Sequence, residues 1–269
     1  MTLDREKLRL LEGRLLEARR ARGLRQGERR SPHRGRGLEF ADYRPYDAGD
    51  DIRLVDWKVY RRLGDVLVRL FHEERQLRAR VVLDLSGSMD FDGKAEHAAH
   101  VAAALVLAAQ TGGDSVELLV GPARATGRSF APFMGLLERC RASGKDPVRI
   151  QGRRVDRSFL VSDLLMDADE RQATLRSLAA SAHEPVLVHV LSPEELRPDL
   201  HRPGRLVDAE TGEELSIRGG LGARADYEAA LQAWLDGLRL SCRRLRIAYV
   251  QAFVDEDLVT ELARGGLVA

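Results

Sequence analysis

The run Asp84-Leu85-Ser86-Gly87-Ser88 puts one carboxylate and two hydroxyls on a short loop, so three hard oxygen donors can face a common point. Gly87 lets the backbone turn tightly between the two serines. Hard divalent cations such as Mg²⁺ or Mn²⁺ favour oxygen ligands in octahedral geometry, and this donor set suits them. A second acid, Asp163, closes another apolar run, Phe159-Leu160-Val161-Ser162, and can bring a further carboxylate to the same place. Asp84, Ser86, Ser88 and Asp163 are therefore the candidate metal ligands, with the remaining positions left to water or an incoming carboxylate. The same short string also serves as a plain turn in which Ser86 or Ser88 caps the next helix. Its placement favours the site: an apolar strand precedes it, a buried helix follows, and a second strand-end acid lies downstream.

Other chemistries fit less well. A phosphoaspartyl hydrolase also starts from a strand-end aspartate but needs a second acid two residues on, where this chain has Ser86. Gly93-Lys94 and Gly144-Lys145 lack the earlier glycine and the hydroxyl of a phosphate-binding loop, and no Gly-x-Ser-x-Gly elbow occurs. The histidines, among them His97, His100 and His183, follow no metal spacing. A metal-dependent hydrolase built on Asp84, Asp163 and a bound water is the enzymatic alternative. No residue stands out as its general base, so the chain is read as a non-enzyme.

The elements that must position these residues follow an α/β rhythm from residue 79 onward. Strands are expected at 80–84, 116–120, 159–163, 185–191 and 245–250, with 124–130 a hairpin partner across Gly121-Pro122. Helices are expected at 94–110, 132–141, 167–182 and 225–243, the first alanine-rich and apolar on most faces. Leu206-Val207-Asp208 and residues 214–218 flank the turn Thr211-Gly212. Alternating strands and helices imply a doubly wound, mostly parallel sheet covered on both faces, and ligands of such sheets bind beyond the carboxyl ends of the strands.

Ahead of that region, residues 3–22 read as an amphipathic helix, with Leu8, Leu11, Leu15 and Ala18 at helical spacing. Eight arginines and one acid, Glu28, lie between Arg19 and Arg36, broken by Gly23, Gly27, Pro32 and Gly35. This is a solvated linker, with a nucleic-acid-binding arm as the alternative. The organisation expected is thus an N-terminal helix and linker over 1–36, a charged and aromatic segment over 37–78 packed on the domain, and the α/β domain over 79–269. A net charge of +1 gives the whole chain no electrostatic pull on nucleic acid. Only four of 43 basic residues are lysines, which is consistent with a GC-rich genome. No apolar stretch is long enough to span a bilayer and the N-terminus has no signal-peptide core, so a cytoplasmic location is expected. Cys140 and Cys242 have no metal spacing and are expected to be free.

Val82-Leu83-Asp84-Leu85-Ser86-Gly87-Ser88-Met89 resembles the metal-ion-dependent adhesion site of von Willebrand factor A domains. Tyr43-Arg44-Pro45-Tyr46, Gly49-Asp50-Asp51-Ile52-Arg53 and Asp56-Trp57-Lys58, in that order ahead of the loop, resemble the signature of a bacterial family called domain of unknown function fifty-eight. The resemblance implies a six-stranded, mostly parallel sheet with one antiparallel edge strand. It also implies association with MoxR-type AAA+ ATPases, for which family members act as adaptors or co-chaperones. Carried over from related A domains, Ser86 and Ser88 ligate the metal directly, and Asp84 and Asp163 act directly or through water. The threonine ligand of those domains has no clear equivalent; Thr126 and Ser129 are the candidates. Leu164 stands where a glycine usually follows the strand-end acid. Met89, Asp50, Asp51 and Arg53 are the candidate partner-binding residues.

Overall fold

The structure, a computed structural model, describes residues 3–23, 39–72, 77–142, 148–199, 204–207, 214–217 and 221–256. Helices are α1 (Arg5–Gly23), α2 (Trp57–Leu63), α3 (Lys94–Thr111), α4 (Ala131–Arg139), α5 (Ala168–Ser181), α6 (Pro193–Leu196) and α7 (Leu221–Arg244). Strands are β1 (Glu39–Pro45), β2 (Leu67–His72), β3 (Arg78–Leu83), β4 (Ser115–Val120), β5 (Ala123–Gly127), β6 (Val155–Ser162), β7 (Ala182–Leu191), β8 (Gly204–Val207), β9 (Glu214–Ile217) and β10 (Ala248–Phe253). Met1–Leu24 and Leu77–Ala269 form one compact unit, and Arg25–Gln76 form a second. The N-terminal helix therefore belongs to the α/β unit. The rest of the arginine-rich stretch, residues 24–36, lies outside the described residues.

The larger unit is built on a six-stranded sheet of order β10-β7-β6-β3-β4-β5. All neighbouring pairs are parallel except β4 with β5 at the edge. This is the von Willebrand factor A-like, doubly wound architecture that the sequence implies. Strand order reverses between β3 and β6, so the crevice of the fold opens where these two strands end. Asp84 and Asp163 follow the last residues of those strands.

Alternation along the strands supplies both faces of the core. Val81, Leu83, Val161 and Val188 join the cluster that includes α3, Phe133 and Leu137 of α4, and Leu8, Leu11 and Leu15 of α1. Val82, Leu160 and Leu187 point the other way, onto Leu175 and Leu178 of α5 and Leu238 and Cys242 of α7. A strand turns successive side chains to opposite faces, so a continuous apolar run is what a sheet covered on both sides requires. Helix α1 packs on α3, which accounts for the burial of α3 on most of its surface. The Asp4 N–H donates to His100 Nε2 at 2.7 Å and ties the start of α1 to α3. Several boundaries differ from the sequence reading: β6 begins at Val155, not 159, α7 at Leu221, not 225, and β10 runs over Ala248–Phe253, not 245–250. Strand β7 begins at Ala182, not 185, and the residues from Leu245 finish α7 with a turn in which Arg246 takes a positive φ of 56°.

In the smaller unit, β1 and β2 pair antiparallel with a register shift between Phe40 and Asp42. The signature motifs are its turn and cap chemistry. Gly49 holds φ 107°, a backbone that L side chains rarely adopt. Asp50 accepts from Arg44 at 2.6 Å and from the Asp47 N–H at 2.9 Å. Asp51 accepts from the Arg53 N–H and caps the single 3₁₀ turn of residues 52–54. Asp56 caps α2 through the Lys58 and Val59 N–H groups and also accepts from the Tyr43 hydroxyl at 2.8 Å. Asp50, Asp51 and Asp56, with Arg44 and Tyr43 as side-chain donors, thus close the turns of this unit, and among its described residues Val55 and Val68 are the buried apolar ones.

Candidate functional site

Strand β3 delivers Asp84 to the carboxyl edge of the sheet, where its own N–H donates to the Val161 carbonyl at 2.9 Å. The Asp84 side chain is almost wholly enclosed. The Ser162 hydroxyl donates to its Oδ2 at 2.6 Å, and the Ser86 N–H donates to its Oδ1 at 2.9 Å. Burial pushes the Asp84 carboxyl above the usual carboxylate range. The Ser162 and Ser86 hydrogen bonds oppose that shift, and the nearby Asp163 charge adds to it. A 3₁₀ turn over Gly87–Asp90 then brings Ser88 back under Ser86, with the two hydroxyl oxygens 3.1 Å apart. The Ser88 hydroxyl donates to Asp163 Oδ1 at 3.1 Å. All four candidate ligands, Asp84, Ser86, Ser88 and Asp163, therefore converge at the strand-order reversal.

Asp163 is held by two further contacts, from its own loop and from β7. The Leu165 N–H donates to its Oδ1 at 3.2 Å. Leu164 between them takes the left-handed conformation, φ 52°, while its side chain is fully buried in the second core face. Behind Asp163, its carbonyl accepts from His189 Nε2 at 3.0 Å, while His189 Nδ1 accepts from the Tyr249 hydroxyl at 2.7 Å. This assignment fixes His189 as the neutral tautomer with its proton on Nε2. Its pKa is pulled down to about 4, chiefly by burial.

The sequence reading passed over the strongest member of the site. Lys94, in the first turn of α3, has no solvent exposure, and its ammonium donates to Asp163 Oδ2 at 2.6 Å and to Glu195 Oε1. Glu195 is presented by α6 through a reciprocal capping box. The Ser192 N–H donates to Glu195 Oε2 at 3.0 Å, and the Glu195 N–H donates to the Ser192 hydroxyl at 3.2 Å. The Tyr227 hydroxyl of α7 closes on the Glu195 carbonyl at 2.7 Å. The signal was present in the sequence: Lys94, Ala98, Val101 and Leu105 share one helical stripe, and the other three are buried apolar residues. A lysine on such a stripe must find a carboxylate or lose its charge.

Other expected residues are placed elsewhere. Thr126 pairs with Glu117 of β4, which is level with Arg80, four residues before Asp84 on β3. Both Thr126 and Ser129 are exposed, on the stretch that leads away from the strand ends. Antiparallel pairing causes this, since β5 runs back toward the amino ends of its neighbours. Met89 has no exposure and packs in the core, so it offers no surface to a partner. Asp50, Asp51 and Arg53 belong to the smaller unit and serve the turns described above.

The donor set does not fit a resident divalent cation. Each carboxylate oxygen of Asp84, Asp163 and Glu195 already accepts a hydrogen bond from the protein, two of them face the Lys94 ammonium, and the Ser86 and Ser88 hydroxyls bond each other. A hard cation needs six oxygens and prefers charged ones. Among the described residues, no group of three or more His, Cys, Asp or Glu side chains is arranged to hold a metal ion. Beside Asp84, a cavity of about 220 Å³ is lined by Leu85, Gly121, Pro122, Cys140 and Arg141.

With this geometry established, the chain can be set beside known proteins. Residues 42–132 match the family model described as "Protein of unknown function DUF58". Over that segment, 91 of the 269 residues, the chain is similar to that family. The matching segment takes in the signature turns, the Asp84–Ser88 loop, Lys94 with the whole of α3, and the β4–β5 edge. None of the curated proteins matches. Among solved structures, the crystal structure of conserved hypothetical protein BatB from Bacteroides thetaiotaomicron is similar at 14% identity and a TM-score of 0.38, over 71% of this chain and 98% of that one. Among the described residues, no helix is long and apolar enough to cross a membrane.

Proposed function

We propose that this chain is a protein-binding module, an adaptor or co-chaperone for a MoxR-type AAA+ ATPase, which meets its partner at the carboxyl edge of the sheet. One observation carries the reading. The strand-end network of Asp84, Ser86, Ser88, Asp163, Lys94 and Glu195 is bonded member to member into one rigid unit, at the place where this architecture presents ligands. What it presents outward is contact surface. Phe91 and Leu165 are 48% and 43% exposed, the first just after the turn that carries Ser88 and the second two residues beyond Asp163, each on a loop the network pins. Exposed apolar side chains on rigid backbone are what a protein interface uses as anchors. The ATPase as partner comes from the family that residues 42–132 match and from the signature motifs that resemble it.

Affinity capture from native lysate with mass spectrometry tests this, using the wild type and a Phe91→Ser, Leu165→Ser variant. A MoxR-type ATPase is expected with the wild type and strongly depleted with the variant. Equal recovery would move the interface off this edge. No ATPase with either protein would remove the partner assignment.

A further inference from the structure

We propose that the Lys94 ammonium is the resident cation of this site, replacing the divalent metal that an Asp-x-Ser-x-Ser loop otherwise recruits. Three observations carry it, independently of which partner the module binds. First, Lys94 is wholly enclosed although it is a lysine at the start of a helix, where the chain could have left it in water. Burying that charge is unfavourable unless it is paired and fully hydrogen-bonded. Second, its partners come from separate parts of the chain: Asp163 from the end of β6 and Glu195 from α6. A metal at a strand-end crevice does the same task of joining loops distant in sequence. Third, every carboxylate oxygen around the ammonium already has a partner within the protein. Asp163 Oδ2 and Glu195 Oε1 take the ammonium protons, Asp163 Oδ1 takes Ser88 and the Leu165 N–H, Glu195 Oε2 takes the Ser192 N–H, and Asp84 takes Ser162 and Ser86. The oxygens of Asp163 and Glu195 that a divalent ion would need already face the ammonium. A divalent ion on Asp163 would also sit a few ångström from the ammonium, where like-charge repulsion in a buried setting lowers affinity by orders of magnitude.

The chemistry follows from the covalent attachment. A lysine cannot be removed by chelation, so the loops it joins stay joined whatever the metal supply. It also leaves no open coordination position for a partner carboxylate. Contacts at this edge are then made by the rigid rim and not by a bridging ion.

The test is Mn²⁺ binding to the full chain, followed by paramagnetic resonance of the free ion and by thermal unfolding with Mn²⁺ or EDTA. The wild type is expected to leave millimolar Mn²⁺ unbound and to unfold at the same temperature in both. Lys94→Met frees Asp163 and Glu195 and is expected to unfold earlier in EDTA. With Mn²⁺ at one hundred times its Kd, that variant should recover roughly 5 °C. Should Lys94→Met fail to fold, Lys94→Gln keeps hydrogen-bond donors without the charge and is measured in the same way. Two results overturn the proposal: wild-type Mn²⁺ binding that Ser86→Ala abolishes, or no gain of Mn²⁺ binding in either Lys94 variant.

Discussion

His189 makes the support of Asp163 sensitive to pH, with a magnitude set by its burial. The imidazole is enclosed between Trp234 and Tyr249, ring centroids 5.3 and 5.7 Å away, and its Nε2–H holds the Asp163 carbonyl. Its pKa falls from 6.5 to about 4. Burial is the largest cause, Asp163 opposes it, and Lys94 and Arg239 reinforce it. A group that is neutral in the fold and protonates in the unfolded chain stabilises the fold fully above pH 6.5, and that contribution is lost as pH falls toward 4. The whole contribution is about 3 kcal/mol, of which about 2 kcal/mol is lost between neutral pH and pH 5. Asp84 works in the opposite sense, because its raised carboxyl pKa favours the fold as pH falls. The His189 share must therefore be read as a difference. His189→Gln keeps an amide donor toward the Asp163 carbonyl and removes the titration. Urea unfolding of wild type and His189→Gln at pH 7.5 and pH 5, followed by tryptophan fluorescence, should show the wild type losing about 2 kcal/mol more than the variant over that range. Equal losses in the two proteins would refute the argument.

Three further substitutions probe how the site is built. Leu164→Gly removes a buried leucine, which costs about 2–5 kcal/mol, but relieves a left-handed residue worth about 1–2 kcal/mol. A net destabilisation in calorimetry is expected, and a gain would mean that backbone strain dominates. Gly152 has φ 108°, and a Cβ there would meet Arg80 Nη2 at 2.7 Å, beside the buried Arg80–Glu117 ion pair, so Gly152→Ala should lower the unfolding temperature. Leu11→Ala in α1 should cost about 2–5 kcal/mol, because the side chain is buried in the main core; a cost near zero would show α1 to be dispensable.

The sheet was legible because its strands are apolar runs of the length that a doubly covered parallel sheet demands, separated by helical stripes. Asp84 and Asp163 were legible because each closes such a run, so topology alone carries both to one edge. Lys94 and Glu195 were not read as partners because they lie far apart in sequence and on different helices. Only the burial of the α3 stripe turns a surface-type residue into a demand for charge. Thr126 was misplaced for a related reason: composition identifies a hydroxyl, but the antiparallel register of β5 decides which end of the sheet it occupies. Met89 follows a polar loop and looks available, yet the 3₁₀ turn over Gly87–Asp90 rotates it into the core.

By itself, then, the sequence determined the architecture and the convergence of Asp84, Ser86, Ser88 and Asp163, since both follow from hydrophobic periodicity and from acids at strand ends. Tertiary structure alone decided what charge those residues meet. Pairing depends on which oxygens and protons share an enclosed volume, and that is fixed only when α3, β6 and α6 have packed around Lys94.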